Sequence, residues 1–357
     1  MKSRLEKLRL NLTEIGLDAL LVSKAQNRRY LSEIPSSEGY LIVSQEDAVL
    51  AVDSRYSEWA GKKASPSTGI RALQIQGEVQ KWLPELVSNM GIIRLGFEDT
   101  ALSYHAYSQI QKGLDSLDSK VELIPTTNIT GKLRAIKDAQ ELELLGKAAA
   151  VADTSFELMK KQVKAGITER EVAWLLESLL RENGSSSVPF GVIVASGPNA
   201  AYPHHTATDR PIGEGDPVII DFGARISGYG SDITRTLCLG EPDDKFKEIY
   251  GVLLEAQQQS IDKIESGMTG KQADAIARNV ITDAGYGQYF IHALGHSTGL
   301  EVHEDPRLSQ TSEDILLDGM LFTIEPGIYI PGWGGIRIED MVVLEKGKTR
   351  VLTHASK

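Results

Sequence analysis

At 357 residues, 41% of them hydrophobic, the chain is long enough for two domains or one large core, and it has no uninterrupted apolar run near the ~20 residues that span a bilayer. The N-terminal residues mix both charge signs without an apolar segment of the signal-peptide kind, which points to a cytoplasmic protein, and the net charge of −11 argues against nucleic acid or an anionic membrane as a partner. The single cysteine, Cys238, excludes an internal disulfide and a thiolate metal cluster, so any metal ion must be held by His, Asp and Glu.

In chain order, Leu5, Leu8, Leu12 and Ile15 recur at helical spacing and predict an opening helix. Strands are expected at 19–23, 40–43, 48–52 and 95–97, with helices at 79–88 and 104–113. That alternation predicts a small α/β domain. Thr126, Thr127, Asn128, Thr130 and Gly131 cluster in a polar, turn-rich stretch at 125–137, which divides the chain into domains 1–128 and 129–357. A helix is expected to follow over 139–163, patterned through Leu142, Leu144, Leu145 and Ala149.

The second domain carries an internal repeat. One helix opens at Gly166-Ile167-Thr168-Glu169-Arg170-Glu171 and ends at Gly184. Another opens at Gly267-Met268-Thr269-Gly270-Lys271-Gln272 and ends at Gly285, across the same interval. Thr168 with Glu171, and Thr269 with Gln272, have capping-box spacing, and each helix closes on Gly. Beyond the helices, an apolar strand ending in Asp221 is matched by one ending in Glu325, and a returning strand near Asp232 is matched by one near Glu339. This predicts a duplicated β-hairpin flanked by paired helices.

In the first hairpin, a turn centred between Ile226 and Ser227 would set Asp221 opposite Asp232, at ~5 Å. A turn centred one residue later would make them diagonal neighbours at ~7–8 Å. Glu325 and Glu339 form a second pair across a Gly-rich turn. A single Asp or Glu in a strand is usually an edge residue, but four at matching points of a repeat are not. Buried carboxylates this close repel unless a proton or cation sits between them.

Of the seven histidines, His204, His205, His292, His296 and His303 lie just before or between the acid pairs. His292 and His296 have the spacing of a zinc-peptidase helix, yet no Glu follows His292, so that motif is absent. Several carboxylates with one His favour Mn, Co, Fe or Zn. His205 is expected to be structural, and His105 and His354 to lie at the surface.

The segments Asp221-Phe222-Gly223, Ser231-Asp232-Ile233-Thr234-Arg235, His292-Ala293-Leu294-Gly295-His296-Ser297-Thr298-Gly299-Leu300-Glu301-Val302-His303-Glu304, Thr323-Ile324-Glu325-Pro326-Gly327-Ile328-Tyr329 and Arg337-Ile338-Glu339-Asp340 together resemble the pita-bread metallopeptidases. That family includes prolidase, aminopeptidase P and methionine aminopeptidase. Asn27-Arg28-Arg29-Tyr30-Leu31-Ser32 and Asp53-Ser54-Arg55-Tyr56 resemble the N-terminal domain that prolidases and aminopeptidases P share with creatinase; Glu33 stands where that family often has Gly. The resemblance implies a creatinase-like α/β domain followed by a pseudo-twofold catalytic domain, α/β and α+β together.

It also implies roles. Asp221 would hold one divalent metal ion, His296 and Glu325 a second, and Asp232 with Glu339 would bridge both. The ions would be Mn or Co first, Zn or Fe as alternatives. His204 would contact the scissile amide, His303 would stabilise the oxyanion, and Glu325 would shuttle the proton. His292 would line the substrate pocket or support it, Arg337 would stand behind the ligands, and Arg307 would read a substrate carboxylate. The implied enzyme is a homodimer that cleaves before a proline at the second position of a small peptide. A dipeptidase is the first expectation and aminopeptidase P the alternative. The complete ligand set argues against a creatinase-like hydrolase and a non-catalytic peptide-binding module, and the N-terminal domain argues against methionine aminopeptidase.

Overall fold

Ser3 accepts a hydrogen bond from the Glu6 backbone N–H while the Glu6 carboxylate accepts from Ser3 N, and this closed capping box starts helix Arg4–Glu14. The helix buries Leu5, Leu8 and Leu12; Ile15 falls just beyond it and is exposed. The protein is described by a computed structural model over residues 3–63 and 69–357, and the chain divides into two units between Arg134 and Ala135.

In the first unit a six-stranded mixed sheet runs in the order Arg71–Gln74, Ala48–Val52, Tyr40–Ser44, Ala19–Val22, Arg94–Glu98, Glu122–Thr126. The four expected strands form its centre, and Ala19–Val22 and Ala48–Val52 are buried throughout. Arg71–Gln74 and Glu122–Thr126 were not expected. Both are partly exposed edge strands, with Arg71, Gln74 and Glu122 facing solvent, so no long apolar run marks them. The expected helices are Val79–Asn89 and Tyr104–Leu114.

Helix Ala25–Ser32 was also missed, because the residues it buries include Asn27 and Arg28. Asn27 donates to Glu98 Oε1 and accepts from Arg134, which keeps a polar cluster inside the unit. Most of the turn-rich 125–137 stretch is regular too: helix Ile129–Ala135 starts directly after Asn128, which turns the chain at φ 53°.

In the second unit, helices Ala139–Lys160 and Glu169–Glu182 are followed, after the first hairpin, by Asp244–Lys263 and Gly270–Asp283. Both predicted capping boxes close. The repeat extends into the backbone. Gly166 N donates to Ile212 O as Gly267 N does to Leu316 O, and Ile212 N returns to Ile167 O as Leu316 N does to Met268 O. Each half has its own apolar core. One holds Phe156, Val172, Leu176, Val218 and Ile220; the other holds Ile249, Leu253, Ala277, Ile281, Phe322 and Ile324. The predicted duplicated hairpins with paired helices describe this unit.

Candidate active site

The first hairpin is set by its turn. Ser227 and Gly228 have φ of 46° and 86°, the left-handed pair that a two-residue connection between twisted strands needs. Ile226 therefore pairs with Tyr229, and further down Asp221 faces Thr234. Asp232 is two residues nearer the turn than Thr234, so of the two possible registers the diagonal one is realised. The second hairpin behaves differently. Ile324 pairs with Asp340 and Gly327 with Arg337, a single register that places Glu325 directly across from Glu339.

A cavity of about 320 Å³ lies within this unit. It is lined by His204, Asp221, Asp232, His292, His296, His303, Arg307, Glu325, Arg337 and Glu339, which are all of the site residues expected from sequence, together with Phe190, Gly191, Ile193, Pro203, Ala293 and Val302. Oxygens of Asp221, Asp232 and Glu339 lie within 4.8 Å of one another. His296 Nε2 is 3.3 Å from Glu325 Oε1 and 3.8 Å from Asp232 Oδ2. Strand Gly295–Ser297 carries His296, whose Nδ1 lies 3.1 Å from Ser297 O. A carbonyl only accepts, so Nδ1 bears the proton and the Nε2 lone pair faces the carboxylates.

Charge makes this arrangement unfavourable by itself. Burial, then the charges of Glu339, Asp221 and Glu325, push Asp232 well above the usual carboxylate range. Burial with Glu325 and Asp221 does the same to Glu339, and burial raises Glu325 to about 8. Asp221 is raised by burial against the pull of Arg337. Burial lowers His296 to about 3, so its ring is neutral, the form that ligates metals. The buried Oδ1 of Asp221 has no hydrogen-bond partner among the described residues. Four crowded carboxylates, an unpartnered carboxylate oxygen and a neutral imidazole aimed at them fit divalent cations and fit little else.

The surroundings hold this set in place. Arg337 donates from Nη2 to Asp221 Oδ2 at 2.7 Å, from Nε to Thr234 Oγ1 and from Nη1 to the Tyr329 hydroxyl. Thr234 in turn donates to Glu339 Oε2 at 2.7 Å. His292 Nε2 lies 2.9 Å from the Tyr329 hydroxyl, and burial lowers its pKa to about 3. Thr234 and Tyr329 escaped sequence reasoning because, within Ile233-Thr234-Arg235 and Ile328-Tyr329-Ile330, they look like ordinary strand residues. His303 and His204 are exposed at the cavity, and burial lowers the His303 pKa. His205 lies outside the cavity lining and meets Glu169 Oε2 at 2.9 Å. His105 and His354 are exposed.

Arg307, on strand Glu304–Leu308, is exposed at the cavity. The neighbouring Glu304 is held by buried Lys137 at 2.8 Å. The Arg307 side chain carries no hydrogen bond or ion pair among the described residues.

The profile of metallopeptidase family M24 matches residues 143–346, and that of the creatinase/prolidase N-terminal domain matches residues 4–136. An Xaa-Pro dipeptidase from Pyrococcus furiosus is 40% identical over 354 residues, 99% of this chain and 98% of its own. Among solved structures, an Xaa-Pro dipeptidase from Bacillus anthracis is 41% identical with a TM-score of 0.94, covering 99% of this chain and 98% of that one. An X-Pro aminopeptidase from Thermotoga maritima is 34% identical with a TM-score of 0.90 over the same shares of each chain. The chain belongs to metallopeptidase family M24, in its Xaa-Pro peptidase branch.

Proposed function

We propose that the protein is an Xaa-Pro dipeptidase that works with two divalent metal ions, manganese or cobalt first. Asp221 would hold one ion, His296 and Glu325 the other, and Asp232 and Glu339 would lie between them. Such a pair, when bound, supplies Lewis acidity and a water that ionises near neutral pH. The chain's own groups do the rest. Glu325 accepts the proton of the attacking water and passes it to the leaving proline nitrogen, beside which His204 stands. His303 donates to the oxygen on which charge develops. Arg337 holds Asp221, and His292 braces Tyr329 behind the pocket. A cytoplasmic homodimer completes the reading, and light scattering on the purified protein tests the assembly.

The observation that favours a dipeptidase is Arg307, a guanidinium at the cavity that Glu304 leaves free by binding Lys137. A dipeptide ending in proline offers a carboxylate there, which the planar fork of Arg can bind through two parallel hydrogen bonds; a longer peptide offers a neutral amide. Arg307→Ala is therefore expected to raise KM for Xaa-Pro about tenfold to a hundredfold and to leave Xaa-Pro-Xaa nearly unchanged. Equal effects on both lengths would remove the carboxylate role. A wild-type preference for tripeptides would favour an aminopeptidase, the activity named for the Thermotoga maritima structure.

A further inference from the structure

The two glutamates face each other where Pro326 interrupts the ladder of their hairpin. The ladder runs to Ile324 and Asp340, and resumes at Gly327 and Arg337. Between these points Ile338 N donates to Pro326 O, and the opposed glutamates point their own N–H groups outward, Glu325 N to Leu294 O and Glu339 N to Thr234 O. Pro326 has no N–H to return to Ile338 O, so that carbonyl, immediately before Glu339, lacks its ladder donor, and Ile324 O stands at the same point before Glu325. One side chain serves both. Gln257, on helix Asp244–Lys263, donates from Nε2 to Ile324 O and to Ile338 O, at 3.2 Å each.

Gln257 is fully buried in the apolar core of this half, and its own Oε1 has no hydrogen-bond partner among the described residues. A buried amide with an unmet acceptor is unfavourable, and an apolar side chain of the same length would fill the space without that cost. The other half of the repeat does use an apolar residue. At the same distance before its Thr cap it has Phe156, stacked on Phe222 with ring centroids 5.6 Å apart. The first hairpin stays paired through Asp221 and needs no bridge.

The geometry assigns to Gln257 the role of a positioning residue that sets the separation of Glu325 and Glu339. Its two N–H groups clamp the carbonyls preceding them, so that both carboxylates are presented to the same cation site. The inference rests on the reading of these glutamates as metal ligands.

Full-length wild type, Gln257→Met and Ile281→Val are titrated with cobalt(II), reading ions bound, affinity and visible absorption. Ile281→Val trims the same core on helix Gly270–Asp283 and serves as the control for general loosening. Gln257→Met is expected to bind cobalt about tenfold or more weakly, with a changed absorption spectrum, while Ile281→Val matches wild type. A Gln257→Met isotherm and spectrum equal to those of wild type would overturn the inference. So would equal losses in both variants. Should Gln257→Met fail to fold, Gln257→Asn, which keeps the amide one methylene short, must still weaken binding for the inference to stand. A wild type that binds no cobalt would instead sink the metal-site reading itself, and this inference with it.

Discussion

Glu33 caps helix Ala25–Ser32 in the left-handed conformation, at φ 60°, with its N–H on Arg29 O. A side chain there costs about 1–2 kcal/mol, which Gly would avoid. Gly also loses about 0.4–1 kcal/mol more chain entropy on folding. The exposed Glu33→Gly variant is thus expected to be more stable by about 0.5–1 kcal/mol in urea unfolding, and a loss of stability would contradict the strain argument. Glu169 is the opposite case, a buried carboxylate that is fully used. It accepts from Ser196 N and Oγ, Asn199, His205, and Thr208 N and Oγ1. Burial raises its pKa, but bonds from Thr208, His205, Asn199 and Ser196 outweigh that and hold it at about 2. A depressed acid stabilises the fold above its unfolded pKa of about 4.3 and loses that contribution as pH falls through the folded value. The stability gap between wild type and Glu169→Gln should therefore narrow, by up to about 3 kcal/mol, as pH drops from about 4.3 toward 2. A gap that is constant with pH would mean that the charge is not what the loop holds.

Elements of the same repeat are put to different uses. Glu169 opens helix Glu169–Glu182, and Gly270 occupies the matching position in helix Gly270–Asp283. A Cβ at Gly270 would lie 2.1 Å from Arg307 O and 2.6 Å from Ser312 Oγ, so the helix can meet strand Glu304–Leu308 only through glycine. Helix propensity alone argues that Gly270→Ala gains about 1 kcal/mol. A backbone clash outweighs it, and a net loss of about 1–3 kcal/mol is expected in thermal or urea unfolding. The displaced strand carries Arg307, so KM for Xaa-Pro should rise in the same variant. A stabilised Gly270→Ala with unchanged KM would show that the strand yields freely.

At the scale of the whole catalytic unit, the fold holds a centre that works against its own stability until cations are bound. Glu325 is raised to about 8, and Asp232 and Glu339 are raised as well. An acid whose folded pKa lies above its unfolded value contributes stability below the unfolded pKa and loses it as pH rises through the folded one. Chelator-treated protein should accordingly be less stable at pH 8 than at pH 6. Manganese or cobalt at a hundred times its dissociation constant should add about 2.7 kcal/mol, with a rise in Tm. Metal-free stability that is flat or increasing across that interval would mean that the carboxylates are not buried together.

Local chemistry along the chain determined much of this. Thr168, Thr269 and the glycines closing their helices specify ends that form from neighbouring residues alone, and the matching places of the four acids in the repeat, with His296 added by family resemblance, pointed to residues that line one cavity. Strands with continuous apolar runs, such as Ala48–Val52, were legible because both their faces are buried. Edge strand Arg71–Gln74 and polar helix Ala25–Ser32 were not, because the partners that satisfy them are distant in sequence. The same reason hid Thr234, Tyr329 and Gln257, whose bonds reach residues far along the chain. Composition admitted both hairpin registers, and only the left-handed pair Ser227-Gly228 within the folded sheet made Asp221 and Asp232 diagonal. Residue type sets which groups can hold a cation; long-range packing decides their separation, and with it whether they can share one.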